Sequence, residues 1–193
     1  MVVGSGRARS TVDEADVARF EALGEDWWAP RGSMRALHKL NPVRIAYLRD
    51  QMADHFLASD GSVRDVLKAR PLEGLAILDI GCGGGILCEP MSRLGANVTG
   101  IDPAPGNVRI AAKHAEEGGV SVGYKAITVE DLAATGALFD VVLCMEVVEH
   151  VTDMPAFVKT ACSMVGPGGL FFAATLNRTL KSFALAIVGA EYV

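Results

Sequence analysis

The chain has 193 residues, which is the length of one domain with at most a small additional segment. Half of the residues are apolar and 21% are charged, which excludes a disordered chain, a collagen-like chain and a small domain held by disulfides. The formal net charge is −5 and there is no block of basic residues, which argues against nucleic acid as a partner, because neutralising phosphates takes a basic stripe.

Cysteine spacing and apolar run length indicate the compartment. The four cysteines form no C-x-x-C pair, so we expect buried thiols in a reducing compartment and no zinc site. The N-terminus lacks the apolar core of a secretory signal, and no uninterrupted run of 18 apolar residues occurs that could span a membrane. These patterns predict a cytoplasmic protein.

Residues 1–70 show apolar side chains at helical spacing and are predicted to form helices only. Proline, glycine and capping residues predict breaks at 29–32, at Asn41-Pro42 and at 59–61. The apolar residues Val63, Val66 and Leu67 predict one more helix after the last break.

Residues 71–193 alternate short strands with helices, a pattern typical of a doubly wound, Rossmann-like α/β domain with a parallel sheet. Ligands of such sheets bind beyond the carboxyl ends of the strands. The predicted strands are 75–81, 97–102, 120–125, 139–145 and 169–176, and the predicted helices are about 86–95, 105–117 and 153–165.

The first predicted strand runs into a glycine-rich loop, LDIGCGGG (78–85), in which Gly81 and Gly83 let the backbone approach a ligand closely. A dinucleotide fingerprint would place its last glycine at position 86, which is Ile86. Asp79 precedes the loop, and its carboxylate would repel a pyrophosphate but attract a cationic sulfonium nucleoside. The loop therefore favours S-adenosylmethionine over a nicotinamide cofactor.

Asp102 ends the second predicted strand, where a carboxylate accepts hydrogen bonds from both ribose hydroxyls of a nucleoside. After the third strand, Thr128, Glu130 and Asp131 offer either an acid for the adenine amino group or a helix cap.

Three runs of sequence resemble the class I S-adenosylmethionine-dependent methyltransferases and, more narrowly, the ubiquinone biosynthesis O-methyltransferase family. The three runs are ILDIGCGGGILCEPMSRLGANVTGID (77–102), CMEVVEHV (144–151) and GPGG followed by TLNRT. The opening segment of that family also agrees with FEALGEDWWAPRGSMRALHKLNPVRIAYL (20–48). The resemblance covers the chain from about Thr11. It implies cofactor contacts at Arg44, Gly81, Asp102 and Met145.

The resemblance further implies methyl transfer to a hydroxyl of a polyprenylated catechol or demethylubiquinol on the route to ubiquinone, with residues 1–70 as a helical lid. Association with a complex of ubiquinone-biosynthesis enzymes is a further expectation. Trp27, Trp28 and His38 lie in the lid segment, where packing and contact with a substrate ring are both open.

A catechol hydroxyl must lose its proton, and the sequence offers Glu146, Glu149 and His150 after the fourth strand. On one helical turn they share a face. They could hold a divalent ion such as Mg²⁺, as the resemblance implies, or His150 could act as general base with Glu149 orienting it. The remaining interpretation is that all three merely flank a helix.

The C-terminal segment 177–189 joins Arg178 and Lys181 to Phe183, Leu185, Ile187 and Val188, which suits docking on the inner membrane surface. The class I methyltransferase sheet has seven strands, and the sequence shows five. We therefore expect strands six and seven, about 40–60 residues, to be missing from this chain.

Three rival functions remain at this point. A quinone or other small-molecule C-methyltransferase would share the cofactor loop, a nicotinamide oxidoreductase is disfavoured by Ile86 and Asp79, and a shortened chain could bind the cofactor without turnover.

Overall fold

A computed structural model describes residues 10–29 and 31–175. The strands are β1 (Ala76–Ile80), β2 (Asn97–Asp102), β3 (Gly123–Ala126), β4 (Phe139–Met145) and β5 (Val165–Ala174). The helices are α1 (Glu14–Glu21), α2 (Arg35–His55), α3 (Cys88–Arg93), α4 (Pro105–Glu117), α5 (Val129–Ala133) and α6 (Met154–Cys162), with 3₁₀ turns at Gly24–Trp28 and Val148–His150.

The five strands form one parallel sheet in the order β3-β2-β1-β4-β5, which confirms the doubly wound α/β prediction. Strand order reverses between β1 and β4, so a crevice opens where their carboxyl ends meet. The residues after Ile80 and Met145 therefore face the same space.

Both faces of the sheet are covered by helices, which explains the continuous apolar runs in β1 and β4. On one face, Ile77 and Leu143 pack with Leu48 and Met52 of α2. On the other, Leu78 and Val142 pack with α5 and α6. The predicted division of the chain at residue 70 stays a prediction.

The predicted break at Asn41-Pro42 is wrong, because Pro42 lies inside α2. The helix continues through it since its packing outweighs the hydrogen bond that proline removes. Leu48 and Met52 are buried against the sheet, and Asn41 Nδ2 donates to the Ile86 carbonyl at 2.9 Å. Tertiary contacts on both sides of Pro42 thus hold the helix together.

The predicted helix around Val63, Val66 and Leu67 is also wrong. This segment consists of turns, Val63 forms an antiparallel bridge with Leu57, and the side chains of Val63 and Leu67 are exposed. The spacing is helical, but the apolar side chains of Val63 and Leu67 are not buried against the rest of the protein, and without such packing a short helix is not stable.

Several predictions concern residues that the structure does not describe. The membrane segment 177–189 and the TLNRT run after Thr175 lie outside the described residues, as do any strands beyond β5. Among residues 10–29 and 31–175, no helix combines the length and apolar character needed to cross a lipid bilayer. Of the four cysteines, three are buried, but Cys162 is exposed on α6, contrary to the prediction of buried thiols.

Candidate active site

A cavity of about 310 Å³ lies at the carboxyl edge of β1 and β4, beneath the N-terminal segment. It is lined by most of the residues that the sequence singled out: Arg44, Asp79, Gly81, Asp102, Met145, Glu146 and His150. Gly83 and Glu149 are not in its lining. The cavity thus brings five of the six predicted cofactor residues and two of the three predicted catalytic or metal-binding residues to one space.

The glycine loop is packed tightly against side chains from two other parts of the chain. Gly81 has φ +69°, and a Cβ there would lie 2.6 Å from Cγ2 of Val147. Gly83 has φ +53°, and a Cβ there would run into the indole ring of Trp27. Because these two glycines have no Cβ, Val147 can pack closely against Gly81 and Trp27 can pack closely against Gly83.

Asp79 is buried at the end of β1, where Cys88 Sγ donates to Oδ2 at 3.1 Å. Burial raises the pKa of Asp79 to about 6, against the opposing effects of Cys88 and of the positive charge of Arg44. A buried carboxyl poised this way favours a cationic ligand, because a nearby positive charge would restore its ionised form.

Asp102 ends β2 with its carboxylate held by three donors. Oδ2 accepts from Gly83 N at 3.0 Å, and Oδ1 accepts from Ala104 N at 2.9 Å and from Asn107 Nδ2 at 3.2 Å. Burial raises its pKa, and these donors oppose the shift. The carboxylate is thereby fixed in one orientation beside the glycine loop.

Arg44 of α2 forms an ion pair with Glu146, with Nη2 and Oε1 2.7 Å apart. Glu146 has φ +57°, a left-handed backbone that is uncommon for residues other than glycine. Strained backbone of this kind is concentrated at functional sites, where the surrounding structure enforces it. The ion pair connects the predicted carboxylate clamp to the predicted catalytic segment.

Residues 146–150 do not form the predicted helical turn, since the left-handed Glu146 precedes a short 3₁₀ turn at Val148–His150. Glu149 lies against Glu146, and burial together with this like charge raises the pKa of Glu146. Both Oε2 atoms are buried without a hydrogen-bond partner among the described residues. Two such carboxylate oxygens fit as ligands of a hard divalent cation.

His150 does not join the carboxylate pair. Its Nδ1 lies 2.9 Å from Oδ2 of Asp16 on α1, and Phe20 packs edge-on against the ring at 5.0 Å. Within the described part of the chain, no three acidic, histidine or cysteine side chains cluster as a metal site. The partner that orients His150 is therefore Asp16, where the sequence suggested Glu149.

The N-terminal segment 10–28 is tied to the sheet domain at several points. Thr11 donates to the buried Glu130 through its amide at 3.0 Å and its hydroxyl at 2.7 Å, and Val12 pairs with Val151. Glu130 thus holds this segment, while Thr128 caps α5 by accepting from Asp131 N. The predicted helix cap at Thr128 is observed, and the adenine contact of the acids after it stays a prediction. Thr128 and Val129 themselves line the cavity.

The two tryptophans, His38 and His114 pack the N-terminal segment against the glycine loop and α4. Trp28 donates to the Gly84 carbonyl at 2.8 Å and stacks on His114 with ring centroids 3.5 Å apart. His114 in turn bonds the buried Glu89, and His38 Nε2 donates to the Trp27 carbonyl. These contacts fit the packing interpretation of the lid.

Two residues of the site were not found from the sequence. Asp16 lies in the polar first turn of α1, and nothing local in the sequence places it against His150, which is 134 positions away. Asn107 did carry a weak signal, because it is a polar residue in the first turn of α4, the helix that follows the strand-terminal Asp102.

The solved structures that resemble this chain support the fold. The chain superposes on magnesium protoporphyrin IX methyltransferase from Synechocystis with bound SAH at a TM-score of 0.65, with 20% identity over 93% of this chain and 80% of that one. Residues 55–186 match a sequence family described as a methyltransferase domain. The fold and the cavity at its switch point define a class I S-adenosylmethionine-dependent methyltransferase.

Curated relatives narrow this class. The ubiquinone biosynthesis O-methyltransferases of Methylocella silvestris and Methylobacterium nodulans are both 61% identical to this chain, over 95% of it and over 72% and 71% of their own lengths. That of Mesorhizobium japonicum is 58% identical over 96% of this chain and 72% of its own. The chain belongs to the ubiquinone biosynthesis O-methyltransferase family, and the resemblance inferred from its motifs is confirmed.

Proposed function

We propose that this protein transfers the methyl group of S-adenosylmethionine to a hydroxyl of a polyprenylated catechol or demethylubiquinol in ubiquinone biosynthesis. The observation that carries the proposal is that one cavity is lined both by five of the six predicted cofactor residues and by Glu146 and His150. The names of the relatives at 58–61% identity support the substrate class.

The cofactor supplies a methyl group on a cationic sulfur, so the protein's task is to bind, orient and exclude water. Asp79 favours the positive charge, and Arg44 retains N–H groups beyond its bond to Glu146 that can hold the methionine carboxylate. Asp102 would accept hydrogen bonds from the ribose hydroxyls, and Met145 would supply an apolar contact for the adenine. Gly81 and Gly83 shape the loop around these groups.

On the acceptor side, we assign His150 as the proton acceptor. A carboxylate only accepts hydrogen bonds, so the nitrogen facing Asp16 is Nδ1–H and the lone pair of the neutral ring is on Nε2. A phenol has a pKa near ~10 and is mostly protonated at neutral pH, so its proton must be taken as the methyl group arrives. The products are the methyl ether, S-adenosylhomocysteine and a proton on Nε2.

Glu146 and Glu149 are the residues that would hold Mg²⁺, because their buried Oε2 atoms lack partners among the described residues. A bound divalent ion would lower the pKa of a catechol hydroxyl. In the competing arrangement that the family resemblance implies, His150 is the third ligand and does not act as the base.

The proposal is tested by incubating the full chain with methyl-labelled S-adenosylmethionine and a short-chain prenyl catechol, and identifying the product by mass spectrometry. We expect an O-methyl ether, lost in Asp102→Ala and His150→Ala variants that still melt cooperatively. A ring C-methyl product would support a C-methyltransferase, and cofactor binding without any product would support a binding protein; either result overturns the proposal.

We further propose that segment 177–189 touches the membrane that holds the polyprenyl substrate, and that the enzyme works beside its pathway partners at the inner membrane. Arg178 and Lys181 suit anionic headgroups, and Phe183 suits the acyl boundary. Wild type should co-sediment with anionic liposomes more strongly than Phe183→Glu. Equal partitioning of two folded proteins would reject this role.

A further inference from the structure

A chain of buried hydrogen bonds connects the N-terminal segment to the carboxylate at the end of β2. Trp27 Nε1 donates to Asn107 Oδ1 at 3.0 Å, and Asn107 Nδ2 donates to Asp102 Oδ1 at 3.2 Å. All three side chains are buried, and all three line the cavity. Because an indole N–H only donates and a carboxylate only accepts, the orientation of the Asn107 amide is fixed from both ends.

The position of Trp27 is itself determined by the glycine loop. Its ring lies over Gly83, and a Cβ built on Gly84 would stand 2.5 Å from the Cβ of Trp27. His38 donates to its backbone carbonyl. The glycine loop and α2 therefore restrain the indole in the position from which its N–H bonds to Asn107.

We propose that Asn107 and Trp27 are positioning residues that hold the Asp102 carboxylate in the orientation that receives the ribose of the cofactor. The inference rests on the proposed role of Asp102. Asn107 supplies the side-chain donor among the three donors to this carboxylate, the other two being the backbone amides of Gly83 and Ala104. Trp27 keeps Asn107 from turning its amide away.

The coupling has a direct consequence for binding. A ribose that bonds to Asp102 stabilises the arrangement in which Asn107 and Trp27 are seated, and by linkage a seated Trp27 strengthens ribose binding by the same factor. The N-terminal segment thus becomes part of the cofactor site through Trp27, although its helices are distant in sequence from the glycine loop.

The test uses calorimetric titration of the full chain with adenosine and with 2′,3′-dideoxyadenosine, which lacks both ribose hydroxyls. We expect Asn107→Leu, similar in volume, to weaken adenosine binding on the order of tenfold while leaving dideoxyadenosine binding within about twofold. Trp27→Phe should act in the same direction with a smaller effect. The matched control is Trp28→Phe, which loses its bond to the Gly84 carbonyl but keeps the bonds from Trp27 to Asn107 and from Asn107 to Asp102, and it should keep the wild-type ratio of the two affinities.

An Asp102→Ala background separates this inference from the proposed function. In that background, Asn107→Leu should have no further effect on adenosine. If Asp102→Ala weakens adenosine but Asn107→Leu does not, or weakens both nucleosides equally, the positioning role is overturned. If Asp102→Ala itself leaves adenosine binding unchanged, the proposed cofactor role of Asp102 fails instead. Should Asn107→Leu not fold, the two affinities measured with Trp27→Phe decide the question by the same criteria.

Discussion

At the scale of single residues, the site combines carboxyl groups whose environments differ sharply. Asp79 accepts a hydrogen bond from the Cys88 thiol, Glu146 is paired with Arg44, and Asp102 is held by amide donors. Burial raises the pKa of all three carboxyl groups, but each has different hydrogen-bonding or charged partners. We therefore expect each to interact with a different part of the ligands. A mutation at one of them should therefore have its own signature.

The raised pKa of Asp79 predicts a pH-dependent cost in the protein without cofactor. Between its ordinary pKa of 3.8 and about 6, the unfolded chain releases this proton while the folded chain keeps it, so stability falls as pH rises through this window. Asp79→Asn removes this titration. The difference in free energy of unfolding, variant minus wild type, should therefore increase by on the order of 2–3 kcal/mol from pH 4 to pH 7. Urea denaturation across this pH range measures it, and parallel curves for the two proteins would contradict it.

The carboxylate pair predicts dependence on a divalent ion. We expect EDTA to reduce methyl transfer by the wild type and Mg²⁺ to restore it, and we expect Glu149→Gln to need more Mg²⁺ for half-maximal activity, because one anionic ligand is lost. Glu73→Gln, a change at an exposed surface carboxylate, serves as the control. Activity that is insensitive to both the chelator and the Glu149 substitution would show that the pair holds no required metal.

At the scale of elements, the segment around α1 is a structural part of the active site. It contributes Asp16 to His150 and closes the cavity, yet no residue of α1 is fully buried. Its attachment combines the packing of Phe20 against His150 with a few polar contacts, of which the bonds from Thr11 to Glu130 are buried. Segments held this way open locally at low free-energy cost.

Removing one of these contacts should loosen α1 selectively. Thr11→Val takes away the hydroxyl donor and leaves Glu130 Oε1 with the amide of residue 11, which should cost about 1–3 kcal/mol of local stability. Hydrogen exchange should then speed up in Glu14–Glu21 but not in β1 or β4. Ser10→Ala removes only the exposed bond that Ser10 Oγ accepts from Val12 N at 3.3 Å, and it should leave exchange in Glu14–Glu21 close to that of the wild type. Uniform acceleration over the whole chain would instead indicate a global effect.

At the scale of the whole molecule, the carboxyl ends of β1 and β4, helix α2 and the N-terminal segment together enclose the cavity of about 310 Å³. A ligand that fits it binds the folded chain and not the unfolded one, so it must stabilise the fold. The class of ligand that does so follows from Asp79 and the glycine loop.

S-adenosylhomocysteine at about 100 times its Kd should therefore add about 2.7 kcal/mol to the free energy of unfolding, visible as a concentration-dependent rise in Tm. NADH at the same concentrations should give no such rise, because its pyrophosphate would lie beside Asp79. Stabilisation by NADH of equal size would favour the oxidoreductase alternative.

The sequence by itself determined the class of fold, the glycine loop, the acids that end β1 and β2, and the family. These features are local: strand and helix periodicity, glycine at positions of positive φ, and a carboxylate at a strand end are all readable within a few residues. For the same reason the sequence misplaced a break at Pro42 and a helix at Val63, where packing against the sheet, or its absence, decides the outcome.

Only the tertiary structure decided which partners the functional side chains have. Asp16 reaches His150, Arg44 reaches Glu146, and Trp27 reaches Asn107 across separations of 134, 102 and 80 residues. Such contacts leave no local pattern, because they arise from where parallel strands end and how the N-terminal segment folds back over them. Local physics therefore specified what the site contains, and long-range packing specified how its parts are connected.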